Sequence, residues 1–372
     1  MSNTFITADM IAREALPILR NNLVMANLVH TDFSADFAEM GDTVQVLKPA
    51  NFTAIEFDGD LTGQYQDVVE SKVDVSLDTI ATVDMKITAK QRTLNIRDFT
   101  AQIINPAMEA IAQKIDSDIM GLYADIPYFY GTSGTTPDAL DDITGARKIL
   151  NINKAPMAQR RLVIDSEADA KLNSLDALVG VDKSGSALAL REAILGRVSG
   201  LDMYLDQNIP EHAAGTFVAV ASPTATGTAG ESTVALTGGA GAETLLAGDI
   251  LTISGYQYVV TTSTAASGGD IAAAAIYPAL KTSPSSTAVT FPDKTAGGHT
   301  ANLGFHRSAF ALVTRPLMAP MGGAESTVMN FDGLSVRVTF DYSMDLKSDI
   351  VSFDILYGVK TLYKELAVRL LG

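Results

Sequence analysis

Apolar residues between Asn95 and Tyr123 recur at steps of three to five, which is the spacing of one apolar face on an amphipathic helix. They are Phe99, Ile103, Met108, Ile111, Ile115, Ile119 and Leu122. The opposite face carries polar residues, among them Asp116 and Asp118, and we expect it to contact water or a polar neighbour. Pro106 removes a backbone donor, so the pattern predicts a short first segment and a long straight helix that begins near this proline.

From Thr43 onward the apolar residues alternate with polar ones, which is the period of a half-buried strand. Two such runs, at 73–77 and 83–87, are separated by a short segment around 79–81. They predict a β-hairpin, and residues 43–94 are accordingly predicted to form an extended β-hairpin loop. Because a ribbon of this kind is marginally stable alone, either the chain's own core or another copy of the chain has to cover its apolar face.

Mixed helices and strands follow as far as residue 221, and their order predicts the α+β fold class. Three alternating runs close the chain, at 336–342, 351–359 and 366–370. We expect them to form one sheet that packs under the long helix.

The segment from 222 to 300 is rich in Ala, Gly, Ser and Thr and poor in charged residues. This composition is typical of linkers, but alternating pairs such as Leu251 and Ile253 recur between turn residues. The pattern therefore predicts an inserted β domain, with both ends meeting where the host domain is interrupted.

Residues 1–42 are predicted to form an N-terminal arm. Leu16, Leu19 and Leu23 fall at near-helical spacing, and Asp9 is placed to cap the helix. Two interpretations stay open, namely a surface helix packed on its own domain and an arm that reaches a neighbouring molecule.

Composition and charge exclude several functions. Lys and Arg number 27 against 43 Asp and Glu, and a surface with a net charge of -16 repels phosphate, which argues against tight nucleic-acid binding. The chain has no Cys, so disulfides and thiolate metal sites are excluded. No secretion signal and no membrane span is visible, so we expect no membrane partner.

The sequence carries no catalytic constellation. Its four histidines lack zinc-site spacing, and no phosphate-binding glycine loop or serine-hydrolase motif occurs. The acidic residues Asp138, Asp141 and Asp142 lie at a helix start, where capping explains them. We therefore predict no enzyme, no catalytic or metal-binding residues and no cofactor.

An acidic loop between the predicted strands carries Asp58, Asp60, Asp67 and Glu70. Its spacing approaches that of a calcium loop but places a threonine and a valine at two of the ligand positions, and strands rather than helices flank it. A solvated, charged loop is the favoured interpretation.

Several strings resemble one known family. The helical string IINPAMEAIAQKIDSDI, the string FHRSAFALVTRPL and the ending DILYGVKTLYKELAVRLL are similar to the tailed-phage major capsid (coat) protein. The segment with AGDILTISG is similar in place and character to the inserted β domain of the short-tailed-phage subgroup. The resemblance covers nearly the whole chain.

This resemblance implies the tailed-phage major capsid protein fold and a division of the chain. The implied parts are the N-terminal arm at 1–42, the extended β-hairpin loop at 43–94, the spine helix of the peripheral domain at 95–130, the axial domain at 131–221 with its return at 301–320, the inserted β domain at 222–300, and peripheral-domain strands at 321–372.

The resemblance also implies a structural function. Many copies would form hexamers and pentamers of an icosahedral head shell that encloses double-stranded DNA without sequence-specific binding. The implied partners are a scaffolding protein, a portal protein and an optional decoration protein. The implied location is the virion capsid, assembled in the bacterial host cytoplasm.

Two sets of residues are candidate contacts under this interpretation. Asp9 and Glu14 in the arm are candidates for binding a basic scaffold helix, and the acidic loop residues Asp58, Asp60, Asp67 and Glu70 are candidate contacts between subunits. Two alternative functions remain: a bacterial nanocompartment (encapsulin-like) shell protein, and a surface or glycan-binding protein that uses the 222–300 module.

Overall fold

The long helix, α2, spans Asn105–Gly121 and begins at the predicted proline. Pro106 is tolerated there because the first amides of a helix have no intrahelical partner. The helix buries one face, made of Ala107, Met108, Ile111, Ala112, Ile115, Asp116, Ile119 and Met120. The prediction of a long helix from Pro106 onward is thus confirmed.

The computed structural model describes residues 13, 15, 17–19, 23–31, 43–48, 71–88, 104–184, 188–295, 297–320, 325–331, 334–344 and 348–372. The first part of the predicted helix, 95–103, lies outside this range. The chain divides into two compact units. The first comprises Met1–Asn22, Thr31–Ile111 and Leu312–Leu362, and the second comprises Leu23–His30, Ala112–Ala311 and Tyr363–Gly372.

Six further α-helices occur in the described ranges, most of them short. They are α1 (Met25–Leu28), α3 (Leu140–Ile152), α4 (Ser166–Leu172), α5 (Asp176–Val179), α6 (Val181–Ser184) and α7 (Leu188–Glu192). None of the helices in these ranges combines the length and apolar character that crossing a bilayer requires.

Strands make up much of the described chain. Up to residue 213 they are β1 (Thr43–Lys48), β2 (Ser71–Ser76), β3 (Thr79–Thr88), β4 (Phe129–Tyr130), β5 (Arg160–Ile164), β6 (Arg197–Val198), β7 (Leu201–Leu205) and β8 (Glu211–Ala213). The next eight are β9 (Thr224–Thr226), β10 (Thr233–Thr237), β11 (Thr244–Leu245), β12 (Ile250–Ile253), β13 (Tyr256–Val260), β14 (Thr264–Ala265), β15 (Ile271–Tyr277) and β16 (Thr287–Thr290). The last are β17 (Gly298–His306), β18 (Phe310–Arg315), β19 (Glu325–Phe331), β20 (Leu334–Ser343), β21 (Ser348–Thr361) and β22 (Ala367–Leu371).

The first unit is built on a five-stranded sheet in which β18, β21, β20 and β19 are successive neighbours and β3 also pairs with β21. Val338 lies opposite Phe353 in β21, and Phe353 in turn lies opposite Val83 in β3. Val336, Val338, Val351, Phe353, Ile355 and Tyr357 are buried at every second position. The predicted strands at 336–342 and 351–359 are therefore confirmed, and they form adjacent strands of one sheet.

The predicted hairpin between 73–77 and 83–87 is wrong. Strand β2 pairs with β1, with Val73 opposite Val46, whereas β3 pairs with β21. Only Leu77 and Asp78 separate β2 from β3, and this pair lacks the glycine or asparagine that a tight reversal requires. The chain therefore continues from a two-stranded ribbon into the five-stranded sheet, and 43–94 is not a single hairpin.

The second unit contains a seven-stranded mixed sheet in the order β4-β22-β17-β5-β7-β6, with β8 also paired to β17. Ile143, Ala146 and Leu150 of α3 share an apolar cluster with Leu162 and Ile164 of β5. This cluster is the core between the sheet and its helices.

The assignment of the last strand to the same sheet as the other terminal strands is wrong. Strand β22 pairs antiparallel with β17 and parallel with β4 in the second unit. All five of its residues are buried, which is typical of a strand covered on both faces rather than of a half-exposed strand. The sequence predicted that 301–320, which contains β18, returns to the axial domain. Strand β18 instead pairs in the five-stranded sheet of the first unit.

The segment rich in Ala, Gly, Ser and Thr forms a closed barrel in the order β10-β15-β13-β12-β16-β9. Its interior is a separate apolar cluster that includes Phe217, Leu236, Leu251, Tyr258 and Phe291. Small residues on the outside and branched residues inside explain how so uncharged a segment still folds.

Gly358 lies where β21 passes close to the end of β2. A Cβ atom at this position would lie 2.1 Å from the carbonyl oxygen of Ser76. We therefore expect Gly358→Ala to lower the free energy of unfolding by about 1–3 kcal/mol, because backbone atoms have to move. Urea unfolding of the purified monomer measures this change.

Gly121→Ala is the matched control. Nothing lies within 4 Å of a Cβ at this position, and its backbone is helical with φ of -57°. We expect it to raise the free energy of unfolding by about 0.4–1 kcal/mol. Equal stabilities of the two variants would contradict the close approach at Gly358.

Candidate functional site: the barrel neck and the arm anchor

The two ends of the barrel segment meet in one short ladder, which we call the barrel neck. Strand β8 pairs antiparallel with the start of β17, placing Ala213 opposite Gly298 and His212 opposite His299. A Cβ at Gly298 would lie 2.2 Å from the carbonyl oxygen of His212, so only glycine fits. The chain thus leaves the sheet and returns to it at adjacent positions.

The neck holds a buried histidine and carboxylate pair on its first strand. His212 Nε2 lies 3.0 Å from Asp249 Oδ1, and both side chains are buried. The backbone amides of Gly215 and Leu246 also donate to Asp249, over 3.2 and 2.6 Å. The other histidine nitrogen, Nδ1, lies 3.0 Å from the Tyr123 hydroxyl. The His212 ring thus bridges the Asp249 carboxyl and the Tyr123 hydroxyl.

A second buried pair lies on the returning strand. His299 Nδ1 lies 2.8 Å from Asp293 Oδ1, and the Ser133 hydroxyl is 2.5 Å from the same oxygen. Burial lowers the pKa of His299, so the ring is neutral at pH 7 and donates one hydrogen bond to the carboxylate. Burial opposes ionisation of Asp293, but hydrogen bonds from His299 and Ser133 outweigh it and hold the pKa of Asp293 below its usual value. The centroids of the His212 and His299 rings are 5.1 Å apart, so the two pairs adjoin.

Arg369 of the last strand supplies the positive charge of the neck. Its side chain is fully buried, and Nη1 donates to the carbonyl oxygen of Gly248 over 2.8 Å. Its guanidinium carbon lies 5.1 Å from the centroid of the Tyr123 ring. Burial lowers the pKa of Arg369 to about 10, so the group stays protonated at neutral pH. Its single positive charge attracts both Asp293 and Asp249 and offsets part of the negative charge in this buried region.

The barrel also contacts the sheet beside the neck. The side-chain amide of Gln257 makes two hydrogen bonds with the backbone of Phe129, as a neighbouring strand would. It accepts from the Phe129 amide over 3.3 Å and donates to the Phe129 carbonyl oxygen over 2.9 Å. Ile250, Val259 and Leu371 form a buried apolar cluster with Phe129 at the same place. The barrel is thus joined to the sheet by both polar and apolar contacts.

The second feature is the arm anchor, in which Asp116 of α2 fixes residues 23–30. Asp116 Oδ2 accepts from the Val24 amide over 2.8 Å, and Oδ1 accepts from the Ala26 amide over 3.2 Å. These amides lie at the start of α1, where unpaired donors and the helix dipole favour a negative group. Burial nevertheless raises the pKa of Asp116 to about 7, opposed by these hydrogen bonds and reinforced by the charge of Asp206.

Two guanidinium groups hold the other end of this segment. Arg161 donates to the carbonyl oxygen of Leu28, and Arg307 Nε donates to the carbonyl oxygen of Val29 over 3.4 Å. The amide of His30 donates to Phe310 over 3.1 Å. A carboxylate at the start of α1 and cations at its end match the dipole of the helix. Residues 23–30 of the predicted arm therefore pack on their own chain.

The residues predicted as contacts, Asp9, Glu14, Asp58, Asp60, Asp67 and Glu70, all lie outside the described residues. Capping at the start of α3 is confirmed, because Asp142 Oδ2 accepts from the Ala139 amide over 3.1 Å.

Sequence reasoning placed Asp116 on a polar face, whereas its side chain is only 1% exposed. Its place four residues after Ala112 and four before Met120, both buried, was the available signal. His212 and His299 are far apart in the sequence, and only the pairing of β8 with β17 brings them together. Their spacing along the chain therefore could not predict that they adjoin.

The two units and the inserted barrel define the class of this protein. The α+β architecture is that of the phage major capsid proteins, as predicted. The solved structure from Mycobacterium phage Che8 aligns over 93% of this chain and 90% of its own length, with a TM-score of 0.53 at 16% identity. The capsid of cyanophage P-SCSP1u aligns over 89% and 83%, with a TM-score of 0.47 at 15% identity. The capsid of Ralstonia phage GP4 aligns over 90% and 82%, with a TM-score of 0.49 at 10% identity.

The model of the family described as P22 coat protein, gene protein 5, matches residues 2–292. The chain therefore belongs to the P22 coat protein family. No curated protein matches it. The predicted function of a major capsid protein is confirmed, and neither the nanocompartment nor the glycan-binding alternative is favoured. The protein is a component of the phage capsid, which many copies of the chain build.

Removing the Asp249 carboxylate leaves His212 and two amides without an acceptor in a buried site. We expect Asp249→Ala to lower the free energy of unfolding by about 3 kcal/mol or more. Thermal unfolding followed by circular dichroism measures the loss. Asp270→Ala, at an exposed turn of the same barrel, is the control and should leave the midpoint nearly unchanged. Equal effects of the two variants would contradict the role of Asp249.

Asp116 makes stability depend on pH. The pKa of Asp116 is about 7 in the folded chain, against an ordinary value of 3.8. As the pH rises, the unfolded chain therefore loses this proton at a lower pH than the folded chain does. Between about pH 4 and pH 7 the wild type should therefore lose stability relative to Asp116→Asn, by up to about 1.4 kcal/mol per pH unit. Urea unfolding of both proteins across this range measures the difference, and parallel pH profiles would contradict the assignment.

Proposed function

We propose that this coat protein forms the hexamers and pentamers of an icosahedral shell that encloses double-stranded DNA. The shell assembles in the bacterial host cytoplasm around a scaffolding protein, with a portal protein at one vertex and a decoration protein as an optional addition. The observation that carries this proposal is the match of the P22 coat protein family over residues 2–292.

The extended ribbon supports assembly through sister copies. Among the described strands, β1 and β2 pair only with each other. Because an isolated two-stranded ribbon is marginally stable in water, it needs further contacts. One end of β2, with the buried Val75, lies against β21 of the same chain, and we propose that another surface covers the rest of the ribbon. In a shell, a neighbouring copy supplies that surface, and the acidic residues Asp58, Asp60, Asp67 and Glu70 of the segment between β1 and β2 become contacts between subunits.

The acidic charge supports enclosure of DNA without binding it in a sequence-specific way. A chain with a net charge of -16 repels phosphate, so packed DNA slides along the wall instead of adhering to it. The same charge makes the copies repel one another, and the apolar area buried between them has to outweigh this repulsion.

The proposed role is structural and not enzymatic. The titratable groups of the barrel neck, Asp249, Asp293, His299 and Arg369, are each at most 2% exposed. A substrate in solution therefore has no contact with them. Their burial fits a joint between two parts of the subunit.

Electron microscopy of the chain expressed alone tests the proposal. We expect large curved assemblies, because the covering surfaces are carried by the chain itself. Discrete monomers at high concentration would overturn it.

Asp9 and Glu14 are proposed to bind a basic helix of the scaffolding protein. We expect charge reversal by Asp9→Lys and Glu14→Lys together to abolish co-sedimentation of the scaffolding protein of the same phage with assembling shells. Circular dichroism should show that the coat monomer stays folded. The pair Asp138→Lys and Asp270→Lys makes the same charge change elsewhere and should leave recruitment intact. Unchanged recruitment by the arm variant would remove this proposal.

A further inference from the structure

One surface of the second unit carries a concentration of positive charge. It lies along the C-terminal half of α3 and the loop that follows, and we call it the α3 surface. Arg147, Lys148 and Lys154 are exposed there. Residues 143–164 contain five basic residues and no acidic one, although the whole chain has a net charge of -16. This surface is therefore opposite in charge to the chain as a whole.

A buried guanidinium adds to the positive charge from beneath the surface. Arg160 is only 2% exposed. Its nitrogens donate to neutral groups, namely the carbonyl oxygens of Pro156 and Ala155 and the side-chain oxygen of Asn151, over 2.8, 2.6 and 2.7 Å. No carboxylate pairs with Arg160 in the described ranges. The charge is thus hydrogen-bonded but not neutralised, and such a charge favours an anion nearby.

Asn151 connects this buried group to a cavity at the surface. The cavity has a volume of about 420 Å³ and is lined by Thr144, Arg147, Lys148, Asn151 and Ile152. Burial and the charge of Arg147 lower the pKa of Arg160, so the two guanidinium groups are near enough to repel each other. An anion in the cavity relieves this repulsion.

The stability of α3 does not account for these exposed cations. Cations stabilise a helix from its last turn, but α3 has none there, since Arg147 and Lys148 precede that turn. Lys154 has a backbone φ of 56°, a conformation that usually belongs to glycine after a helix. None of the three forms an ion pair with a carboxylate among the residues that the structure describes. Their charges are therefore available to a partner outside the subunit.

The α3 surface and the barrel lie on opposite sides of the seven-stranded sheet. Val368 and Leu370 of β22 pack in the apolar cluster that contains α3. The alternate residues contact the barrel, because Arg369 donates to Gly248 and Leu371 packs in the cluster beside the neck. Successive side chains of a strand point to opposite faces, so a partner on the α3 surface does not reach the barrel.

We propose that the α3 surface binds phosphate groups of the enclosed double-stranded DNA. Arginine and lysine are the side chains that bind phosphate, and contacts to phosphate read no base sequence. DNA presents phosphates continuously along its length, so each copy in the wall meets them whatever its position. The proposal rests on the proposed function and adds the place where an otherwise acidic wall contacts the DNA. The rest of the wall repels phosphate, so the contact is weak and sensitive to salt.

A duplex of random sequence tests the contact on the unassembled full-length subunit. The neutral variant carries Arg147→Gln, Lys148→Gln and Lys154→Gln. The control variant carries Arg191→Gln, Lys281→Gln and Lys360→Gln, which is the same charge change at exposed positions outside the α3 surface. Fluorescence anisotropy measures the affinity for the duplex over a series of salt concentrations, and circular dichroism checks the fold.

We expect the wild-type subunit to bind the duplex at low salt and the neutral variant to lose at least about tenfold in affinity. The slope of log affinity against log salt should fall by about 2.7 in magnitude, because each of the three phosphate contacts contributes about 0.9. The control should stay close to the wild type in both quantities.

Cross-linking in DNA-filled heads is a second measurement, which does not depend on the neutral variant. The chain has no Cys, so a single introduced Cys carries a photoreactive cross-linker at one known place. Lys154→Cys puts the cross-linker on the α3 surface, and Lys281→Cys puts it at an exposed position of the barrel segment. We expect at least about tenfold more DNA adducts from Lys154→Cys, since contact with DNA falls on one face of the sheet.

Four outcomes overturn the proposal. They are a wild-type subunit that does not bind the duplex at low salt, a neutral variant with wild-type affinity, an equal loss of affinity in the control, and equal numbers of adducts from the two cysteine variants. A neutral variant that keeps its affinity for the duplex but no longer builds shells would assign the α3 surface to an acidic protein partner instead. Wild-type chains that build no shells would overturn the proposed function, whereas the duplex titration measures the α3 surface independently of assembly.

Discussion

The second unit depends on the antiparallel pairing of β8 with β17. An inserted domain can leave the sheet of its host intact only if its two ends lie side by side, and this ladder of three residue pairs places them so. The ladder also buries two histidines, so each needs a partner in a region without water. Asp249 and Asp293 provide these partners, and the guanidinium of Arg369 offsets part of the negative charge.

The neck links three segments that are far apart in sequence. His212 precedes the barrel, His299 follows it, and Arg369 comes from the last strand, whose neighbours in the sheet are β17 and β4. The C-terminal strand therefore cannot be removed without exposing a buried charge network. This explains why a short terminal segment belongs to a different unit from the long strands that precede it.

In the arm anchor, as in the barrel neck, buried polar groups are paired with charged side chains from distant parts of the sequence. The helix α1 is only four residues long and has little stability of its own, so its ends rely on partners from elsewhere in the unit. Asp116 satisfies amides at its start, and Arg161 and Arg307 satisfy carbonyls at its end.

The sequence by itself determined what depends on near neighbours along the chain: the helix from Pro106, the long strands at 336–342 and 351–359, the cap at Asp142 and the coat protein family. Side-chain period and local strings carry this information, because a helix or strand is built from residues a few positions apart. Only the tertiary structure decided that β2 pairs with β1, that β3 joins β21, that β22 lies beside β17, and that Asp116 is buried beneath the arm. Strand pairing and the burial of a charge depend on residues far apart in sequence, so no local pattern records them.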